Sequence, residues 1–579
     1  MIMFNRYFQQ ELANLKELGE AFSKAHPAVA PMLSGAAADP DVERLLEGVA
    51  FLTALLREKL DDEFPEIVHE LIQIVWPHYL RPVPAATIIA FQPKPALKQS
   101  VKIPAGILVN SIPVEGTTCT FRTASPVEVH PLKLVDAALL EPAGRPPAVR
   151  IKLELNGMKL ADWQPDALRL YLSGDFSVAT DLAMILQKNT RRIVISSPGG
   201  GRSVSLGPDA LKPVGFSPRE SLIPYPSNSF PGYRILQEYF ILPEKFLFLD
   251  LTGWEEWTER GEGSGFEVSF DLENISPPYP RIRKESFVLN AVPAVNIFPH
   301  EADPVRLDHK RTDYLIRPAG SNANHFQVYS LEKVVGYVQG TAEERTYLPF
   351  DLFQRTKEDS SVYHVKLRRA PVTEGIDVYL SVAYPTDGRI SAGETLSIDL
   401  LCTNGALPEN LQQGDICEPT SSSPEFVTFK NIRPITPHVL PPLGTDLLWQ
   451  LLGHLSLNLL SLATPENLRA LLELYIFSES RDRSAVLANK KRIDGIEAVD
   501  VRQQDRLLKG AIIRGHEINI KLQRDHFAGD GDLFLFAAVL DHFLGAYATI
   551  NTYTRLTVLE SIKGDKYQWP ARLGDHILT

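Results

Sequence analysis

The sequence has little cysteine and a deficit of positive charge. Three of its 579 residues are cysteines, Cys119, Cys402 and Cys417, and none of them belongs to a C-x-x-C pair. An odd number of widely spaced cysteines cannot close a complete disulfide framework, which indicates a reducing compartment such as the cytosol. The formal net charge is −12, whereas nucleic-acid-binding domains usually carry a basic face. We therefore expect a cytoplasmic protein that does not bind nucleic acid.

The sequence also shows no pattern typical of a signal peptide or of a membrane span. The first residues lead into a charged amphipathic segment, not into a basic stretch followed by an apolar core. Residues 447–465 contain no Asp, Glu, Lys or Arg and approach the length of a span. They do contain Gln450, His454 and Asn458, which lipid would leave unsatisfied at high cost. This stretch predicts a buried helix, at a subunit interface or in the core, and no direct membrane insertion.

Motifs that impose residue type and spacing for chemistry are absent as well. The sequence has no G-x-x-x-x-G-K-[ST] phosphate loop and no G-x-S-x-G nucleophile elbow. The glycine-rich run 197–202 lacks the Lys-Ser/Thr pair, which favours a hairpin turn. His69 opens a zincin-like pattern, but Gln73 stands where the second ligand is required. Residues 530–532 (Asp-Gly-Asp) lack the other oxygen ligands of a calcium loop. The sequence predicts no catalytic residue, no metal and no cofactor.

The composition is that of a globular protein with sizeable cores. Hydrophobic residues make up 44% and charged residues 22% of the chain, which excludes disordered and fibrous classes. Glycine and proline are plentiful, at 36 and 44 residues, which favours many short elements joined by turns. The length suits roughly three to five domains.

The beginning of the chain predicts helices. Apolar residues recur every three or four positions in 4–22 and again in 42–60. Asp39 followed by proline suits an N-cap and a first helical residue. A third helix is expected to open near Pro65 and to end at Trp76, because the proline that follows disfavours helical geometry there.

The spacing then changes to a period of two, which is typical of strands. Short strands separated by Pro/Gly turns are predicted from Thr87 onwards, with a helical insert at 178–188. The Pro-rich segment 433–442 predicts a linker. Beyond it, helix and strand alternate, with a helix start at Thr464 and an apolar helix at 532–547. The fold class is α+β, and the predicted domains are an N-terminal helical region 1–84, a β-rich domain with a helical insert 85–220, a second β-rich domain 221–432 and a mixed helix/strand domain 433–579.

Several stretches together resemble one known family. They are Arg6–Leu12, Asp39–Leu45, Phe51–Ala54, Asp61–Glu66, Trp76–Pro82, Pro224–Pro226, Ser229–Phe240, Pro243–Phe246, Val292–Phe298, Cys402–Gly405, Arg514–Gly515 and Leu540–Asn551. These segments run from near the start to near the end of the chain. In this respect the sequence resembles the TssF family (ImpG/VasA) of type VI secretion baseplate proteins. His516 departs from the pattern, since an apolar residue is expected there, and the 196–213 and 418–424 loops match nothing in it.

The resemblance implies an assembly role without catalysis. TssF proteins look like the inner wedge proteins of contractile phage-tail baseplates. The resemblance implies TssG and TssK as partners, a second copy of the same chain, and contact with spike hub and sheath components. It also implies a place at the cytoplasmic face of the inner membrane once the baseplate has docked. The family brings no catalytic residues to transfer.

Two further readings remain from other classes. The β-rich middle would also suit a β-sandwich module that binds a carbohydrate or a peptide, and an enzyme has only chain length and scattered carboxylates in its favour. Apolar helices that find no partner in their own chain are candidates for helix-on-helix assembly. We expect protein-interface residues on the first helix and at the helix-to-sheet junction, with intrachain core as the alternative, and they are Phe4, Tyr7, Phe8, Leu12, Leu15, Trp76, Tyr79 and Arg81.

Overall fold

The computed structural model describes most of the chain beyond residue 40. The described residues are 8–9, 11–16, 18–19, 22, 40–141, 146–225, 229–273, 279–320, 325–340, 344–350, 361–370, 375–384, 393–443, 459–477, 480–508 and 511–574, without the side chains of 40, 56–68, 74–75, 508 and 511. The chain divides into two compact units. The first comprises Met1–Trp76 and Pro442–Leu452, and the second comprises Pro77–Pro441 and Gly453–Thr579.

The first unit contains one long helix, α1 (Pro40–Val75), of 36 residues. It begins at the expected proline and ends just before Trp76, as predicted. The expected break near Pro65 is wrong, because the helix continues through that residue. The break was expected because an interior proline costs roughly 3 kcal/mol or more through its missing N–H and its ring clash. Residues 8–9, 11–16, 18–19 and 22 are also helical.

The second unit contains the strands and five further helices of the described residues. The helices are α2 (Phe176–Lys188), α3 (Pro231–Ile241), α4 (Pro465–Glu473), α5 (Arg483–Asp494) and α6 (Asp530–Gly545). The strands are β1 (Ala86–Pro93), β2 (Val101–Ile103), β3 (Leu108–Val114), β4 (Thr117–Thr123), β5 (Val127–Val129), β6 (Leu132–Leu140), β7 (Ala148–Leu155), β8 (Leu168–Leu172), β9 (Thr190–Ser196), β10 (Val204–Leu206), β11 (Leu211–Val214), β12 (Phe248–Leu251), β13 (Gly265–Leu272), β14 (Phe287–Leu289), β15 (Ala291–Val295), β16 (Phe298–Glu301), β17 (Val305–Leu307), β18 (Tyr314–Ile316), β19 (Gln327–Val338), β20 (Glu344–Pro349), β21 (Val362–Arg369), β22 (Ile376–Ala383), β23 (Glu394–Thr403), β24 (Ile416–Glu418), β25 (Val427–Asn431), β26 (Ile496–Leu508), β27 (Ala511–Leu522), β28 (Thr552–Glu560), β29 (Lys566–Gln568) and β30 (Arg572–Leu573).

Three sheets combine strands from both sides of residue 220. One sheet has the order β24-β3-β4-β15-β1-β25, the second β10-β9-β13-β7-β6 and the third β11-β12-β8-β14. Strands from the predicted domains 85–220 and 221–432 therefore pair with each other in all three. Periodicity locates a strand but not its neighbour, so the sequence could not reveal this interleaving.

One larger sheet lies wholly within the second predicted stretch. Its order is β16-β23-β19-β20-β21-β22-β18, with β17 also paired to β23. Its core includes the buried side chains of Val334, Leu380 and Leu396. Within the predicted linker 433–442, Thr436 N donates to Ala86 O of β1 at 2.9 Å.

The C-terminal part confirms the predicted alternation of helix and strand. Thr464 caps α4, since its side chain accepts a hydrogen bond from Asn467 N. The apolar helix α6 covers Asp530–Gly545, close to the predicted 532–547. The glycine-rich run 197–202 joins the antiparallel pair β9 and β10, as a hairpin requires.

Gly531 at the start of α6 sets how closely that helix approaches α2. A Cβ atom at this position would lie 2.2 Å from the carbonyl carbon of Thr180 and 2.2 Å from Asp181 N. Both are backbone atoms, so the contact cannot be relieved by a side-chain rotation. Gly531 N also donates to Asp181 Oδ1 at 2.8 Å.

We expect Gly531→Ala to destabilise the protein by about 1–3 kcal/mol, the usual cost of overpacking a core. The measurement is the denaturation midpoint of the full chain in urea. Gly207→Ala is the matched control, because nothing lies within 4 Å of its added Cβ. Equal midpoints for the two variants would contradict the close packing of α6 on α2.

Candidate interaction surfaces

A group of buried ionisable side chains surrounds Glu238 on α3. Glu238 Oε2 accepts hydrogen bonds from Arg234 Nη1 at 2.9 Å and from Lys245 Nζ. Its other oxygen, Oε1, accepts from Leu222 N at 2.6 Å. The side chains of Arg234, Glu238 and Lys245 are 4%, 0% and 1% exposed. Burial lowers the pKa of Lys245, and the charge of Glu238 opposes that shift.

The two cations of this cluster also hold the backbone of the preceding loop. Arg234 Nη2 donates to Phe216 O at 2.7 Å, and Lys245 Nζ donates to Gly215 O at 2.7 Å. Gly215 has a φ of +110°, and a Cβ there would lie 2.7 Å from Lys245 O. Every oxygen and cation of the cluster is thus directed at the protein itself. The cluster can fasten α3 to this loop, but it offers no room for a substrate.

A second, partly buried group fastens the C-terminal strand to α6. Arg572 Nε donates to Asp541 Oδ2 at 2.5 Å, and Arg572 Nη2 lies 2.9 Å from His542 Nε2. The His542 ring stacks on Phe216 at a centroid distance of 3.8 Å. Burial raises the pKa of Asp541 to about 6 against the effect of Arg572. Burial and the charge of Arg572 lower the pKa of His542 to about 2.

A polar cleft of about 760 Å³ opens on the second unit. Its lining includes Glu409, which pairs with Arg481 at 3.1 Å and accepts from His438 N at 3.1 Å. Burial, aided by Arg481, lowers the pKa of His438 to about 4. Phe326, also in the lining, is already stacked on His300. Glu409 and Arg481 thus pair with each other, and the Phe326 ring already has a stacking partner.

Metal-ligating clusters and membrane spans were sought over the same residues. The described part of the chain contains no group of three or more His, Cys, Asp or Glu side chains placed to hold a metal ion. Among its helices, none combines the length and the apolar character needed to cross a membrane. Most of the charge-free stretch 447–465 lies outside the described residues.

The comparison with protein families decides the identity of the chain. The family model described as "Type VI secretion system, TssF" matches residues 2–576. The chain belongs to the TssF family. It is 30% identical to the type VI secretion system component TssF1 of Pseudomonas aeruginosa, over 98% of each chain.

Two solved structures carry the same likeness in three dimensions. A chain of the TssK-TssF-TssG baseplate subcomplex, determined by cryo-electron microscopy, matches with a TM-score of 0.77 and 28% identity. That match covers 92% of this chain and 99% of the other. A chain of a type VI baseplate complex matches with a TM-score of 0.63 and 25% identity, over 99% and 100% of the two chains. The resemblance seen in the sequence is confirmed, and so is the mixed α+β fold class.

Several segments that resemble the TssF family form packing and hydrogen-bond contacts in this fold. The stretch 229–240 forms α3, with Arg234 and Glu238 in the buried charge cluster. The stretches around Asn296 and Asn404 meet each other, since Asn296 Nδ2 donates to Asn404 Oδ1 at 2.8 Å and Asn404 N donates to Asn296 Oδ1 at 2.7 Å. These motifs therefore identify the family through the packing of its fold.

The predicted interface residues of the first helix lie partly outside the described residues. Phe4 and Tyr7 belong to the undescribed part, whereas Phe8, Leu12 and Leu15 are half-buried. Near Leu15, Lys16 Nζ lies 3.0 Å from Glu43 Oε1 on α1. Both side chains are half-exposed, and such a pair stabilises the contact of the two helices only slightly.

At the helix-to-sheet junction the predicted residues have intrachain contacts. Trp76 is buried. Tyr79 is buried too, and its hydroxyl donates to Leu474 O at 3.0 Å. The guanidinium of Arg81 lies over the Tyr329 ring, 5.3 Å from its centroid. Tyr79 and Arg81 thus have contacts within their own chain, and the interface prediction for Trp76, Tyr79 and Arg81 stays a prediction.

The apolar stripe of α1 is present as predicted, but much of it faces solvent. Leu45, Val49 and Leu52, spaced i, i+4 and i+7, are 69%, 46% and 61% exposed. Ala50 and Ala54 on the same helix are fully buried. Leu45, Val49 and Leu52 are hereafter the α1 stripe. The sequence predicted the stripe but not that it would face solvent. The buried side of the helix carries the small residues Ala50 and Ala54, and their spacing of four was the sequence feature that could have indicated it.

Loss of the Glu238 carboxylate would leave two buried cations without their counter-ion. Removing one partner of a buried ion pair typically costs about 3–5 kcal/mol, so we expect Glu238→Gln to lower the free energy of unfolding by an amount in that range. The measurement is urea denaturation followed by tryptophan fluorescence. Asp166→Asn is the control, because the Lys102–Asp166 pair is exposed and its loss should leave the midpoint unchanged. A Glu238→Gln variant with an unchanged midpoint would contradict the role of this carboxylate in fastening α3 to the preceding loop.

Buried neutral histidines should make the fold sensitive to acid. The folded-state pKa of His542 lies below its ordinary value, so the unfolded chain binds the extra proton first. The contribution of neutral His542 to the free energy of unfolding is fully present above about pH 6.5. Below that pH it falls by up to about 1.4 kcal/mol per pH unit. We expect His542→Gln to unfold with a smaller pH slope between pH 6.5 and 4. If the folded variant loses stability with pH as steeply as the unchanged chain, the lowered pKa of His542 is contradicted.

Proposed function

We propose that the chain is a structural wedge component of a type VI secretion baseplate. It assembles there with a TssG-type and a TssK-type subunit, and it supports tube and sheath assembly around the spike hub. The observation that carries this proposal is the match, at a TM-score of 0.77 over 92% of the chain, to a chain of the TssK-TssF-TssG subcomplex. The family model adds support, because it matches nearly the whole length.

The proposed role involves no catalysis. The carboxylate and cations of the Glu238 cluster are turned towards each other and towards backbone carbonyls, away from solvent. The Asp541–Arg572–His542 group is likewise engaged in fastening β30 to α6. The charged groups of these two clusters thus contribute to packing, which supports a role without catalysis. The proposed location is the cytoplasm, at the face of the inner membrane once the baseplate has docked.

The proposed partner-binding surface is formed by the first helix and the α1 stripe. On the first helix, we assign to it the predicted residues Phe4, Tyr7, Phe8, Leu12 and Leu15. An exposed apolar row at i, i+4 and i+7 is the pattern by which one helix packs against another. The large exposed area of the stripe is unfavourable in a free chain, which supports burial by another subunit. We assign this surface to the TssG-type partner.

Co-expression of the chain with the TssG-type and TssK-type proteins of the same bacterium tests the role. Affinity capture followed by size-exclusion chromatography with light scattering should yield one complex of all three. If the chain stays monomeric and binds neither protein, the baseplate proposal is overturned.

The surface is tested separately by Leu45→Ser/Leu52→Ser. Burial of one leucine side chain contributes about 1.5–3 kcal/mol, so the double variant should bind the TssG-type protein at least about tenfold more weakly. Ile562→Ser is the control, because Ile562 is a comparably exposed apolar residue of the other unit, at 62%. Unchanged binding by the double variant, with both variants folded, would assign the interface elsewhere.

A further inference from the structure

Arg122 is a half-buried cation that has no counter-ion in the described residues. It lies on β4, where Cys119 and Phe121 face the core and Arg122 lies on the opposite face of the strand. Within the described part of the chain, its guanidinium forms neither an ion pair nor a hydrogen bond. Burial lowers the pKa of Arg122, and the charges of Tyr329 and Glu332 oppose that shift. A partly desolvated charge without a partner is unfavourable in a folded chain.

A second half-buried arginine acts on the same tyrosine. The guanidinium of Arg81 lies over the Tyr329 ring, 5.3 Å from its centroid. Burial raises the pKa of the Tyr329 hydroxyl, and the charges of Arg81 and Arg122 oppose that shift. Like Arg122, Arg81 forms no ion pair with a carboxylate of the residues that the structure describes. Two cations without counter-ions therefore surround one buried ring.

The two arginines lie where the sheet that contains β3 and β4 meets the larger sheet. Arg122 is opposite Leu108 of β3, and Leu108 packs against the buried core of the larger sheet. Tyr329 belongs to β19 of that larger sheet. Arg81 is thus held on a buried ring, and Arg122 is carried by a strand inside a sheet. Such preorganisation lowers the cost of binding a partner.

The nearby Glu332 carboxylate does not neutralise both arginines. Its Oε1 accepts a hydrogen bond from Ser330 Oγ at 2.8 Å, and its side chain is exposed. One carboxylate beside two guanidinium groups leaves a local excess of positive charge, in a chain whose formal net charge is −12. A guanidinium binds a carboxylate through two parallel N–H···O hydrogen bonds. The chemistry of this place therefore favours a carboxylate from another molecule.

We propose that Arg81 and Arg122 bind a carboxylate side chain of another baseplate subunit. The inference rests on the proposed baseplate function, and it names the charge of one contact that the chain makes there. The partner's carboxylate supplies the counter-ion that the two arginines lack in the free chain. Pairing on assembly removes the cost of the unpaired cations, so the site favours the assembled state over the free one. The contact is ionic, in contrast to the apolar contact proposed for the α1 stripe.

Replacement of Arg122 by methionine separates this role from a structural one. Arg122→Met removes the unpaired charge and keeps a long side chain, so the free full-length chain should unfold at a higher urea concentration. Arg192→Met is the matched control, because Arg192 pairs with Asp271 at 2.7 Å and its loss should not raise the midpoint. If Arg122→Met unfolds at a lower urea concentration than the unchanged chain, the fold itself needs the charge and the proposal is overturned.

Affinity for the co-expressed TssG-type and TssK-type proteins is the second measurement. Arg122→Met and Arg81→Met should each bind them at least about tenfold more weakly, because a charge pair across the interface is lost. Their affinity should also fall less steeply with salt, whereas Arg192→Met should bind like the unchanged chain. Equal affinity of Arg122→Met and the unchanged chain would contradict the site and leave the baseplate role standing. If the unchanged chain itself binds neither protein, both proposals fail.

Inorganic phosphate tests whether the two arginines take a small anion instead. Titrated into the free chain at constant ionic strength, it should change the urea midpoints of the unchanged chain and of Arg122→Met equally. A stabilisation confined to the unchanged chain, together with unaltered partner binding by Arg122→Met, would assign the site to a phosphate ion and overturn the proposed carboxylate contact.

Discussion

The fully buried carboxylate of Glu238 is the constraint on which the centre of the fold depends. It is enclosed with two cations, Arg234 and Lys245, and a buried charge is tolerable only when its partners and hydrogen bonds are complete. Those cations in turn hold the carbonyls of Phe216 and Gly215. Phe216 then stacks on His542 of α6. One carboxylate thereby links helix α3 to the loop before it and, through Phe216, to the C-terminal helix α6.

The same arrangement leaves no room for a substrate beside the Glu238 carboxylate. A catalytic carboxylate needs a cavity for the substrate and a proton acceptor or donor within reach of it. At Glu238 the cavity is filled by the chain's own backbone. The α1 stripe, by contrast, is apolar and exposed, which suits contact with another protein surface.

The sequence predicted where helices and strands lie better than which of them pair or pack together. Thr464 and the Asp39-Pro40 pair located helix starts because capping is a local interaction between neighbours in the chain. The continuation of α1 through Pro65 was not predictable, since it depends on the balance between one costly residue and many remaining turns. The pairing of β1 with β15 and β25 joins residues far apart in sequence, and alternation of side chains carries no information on such pairing. The direction of the α1 stripe and the charge cluster around Glu238 were missed for the same reason. The stretch 229–240 was noted for its family resemblance, but it was not predicted to be a helix.

The central claim is that the cell needs this chain to build the secretion apparatus, and fluorescence imaging of the sheath in the source bacterium tests it most directly. With the gene deleted and a fluorescent sheath protein expressed, the account predicts that sheaths no longer assemble, and that the full-length chain supplied in trans restores them. Sheaths that assemble at the normal frequency without the chain would contradict its role as a structural baseplate component.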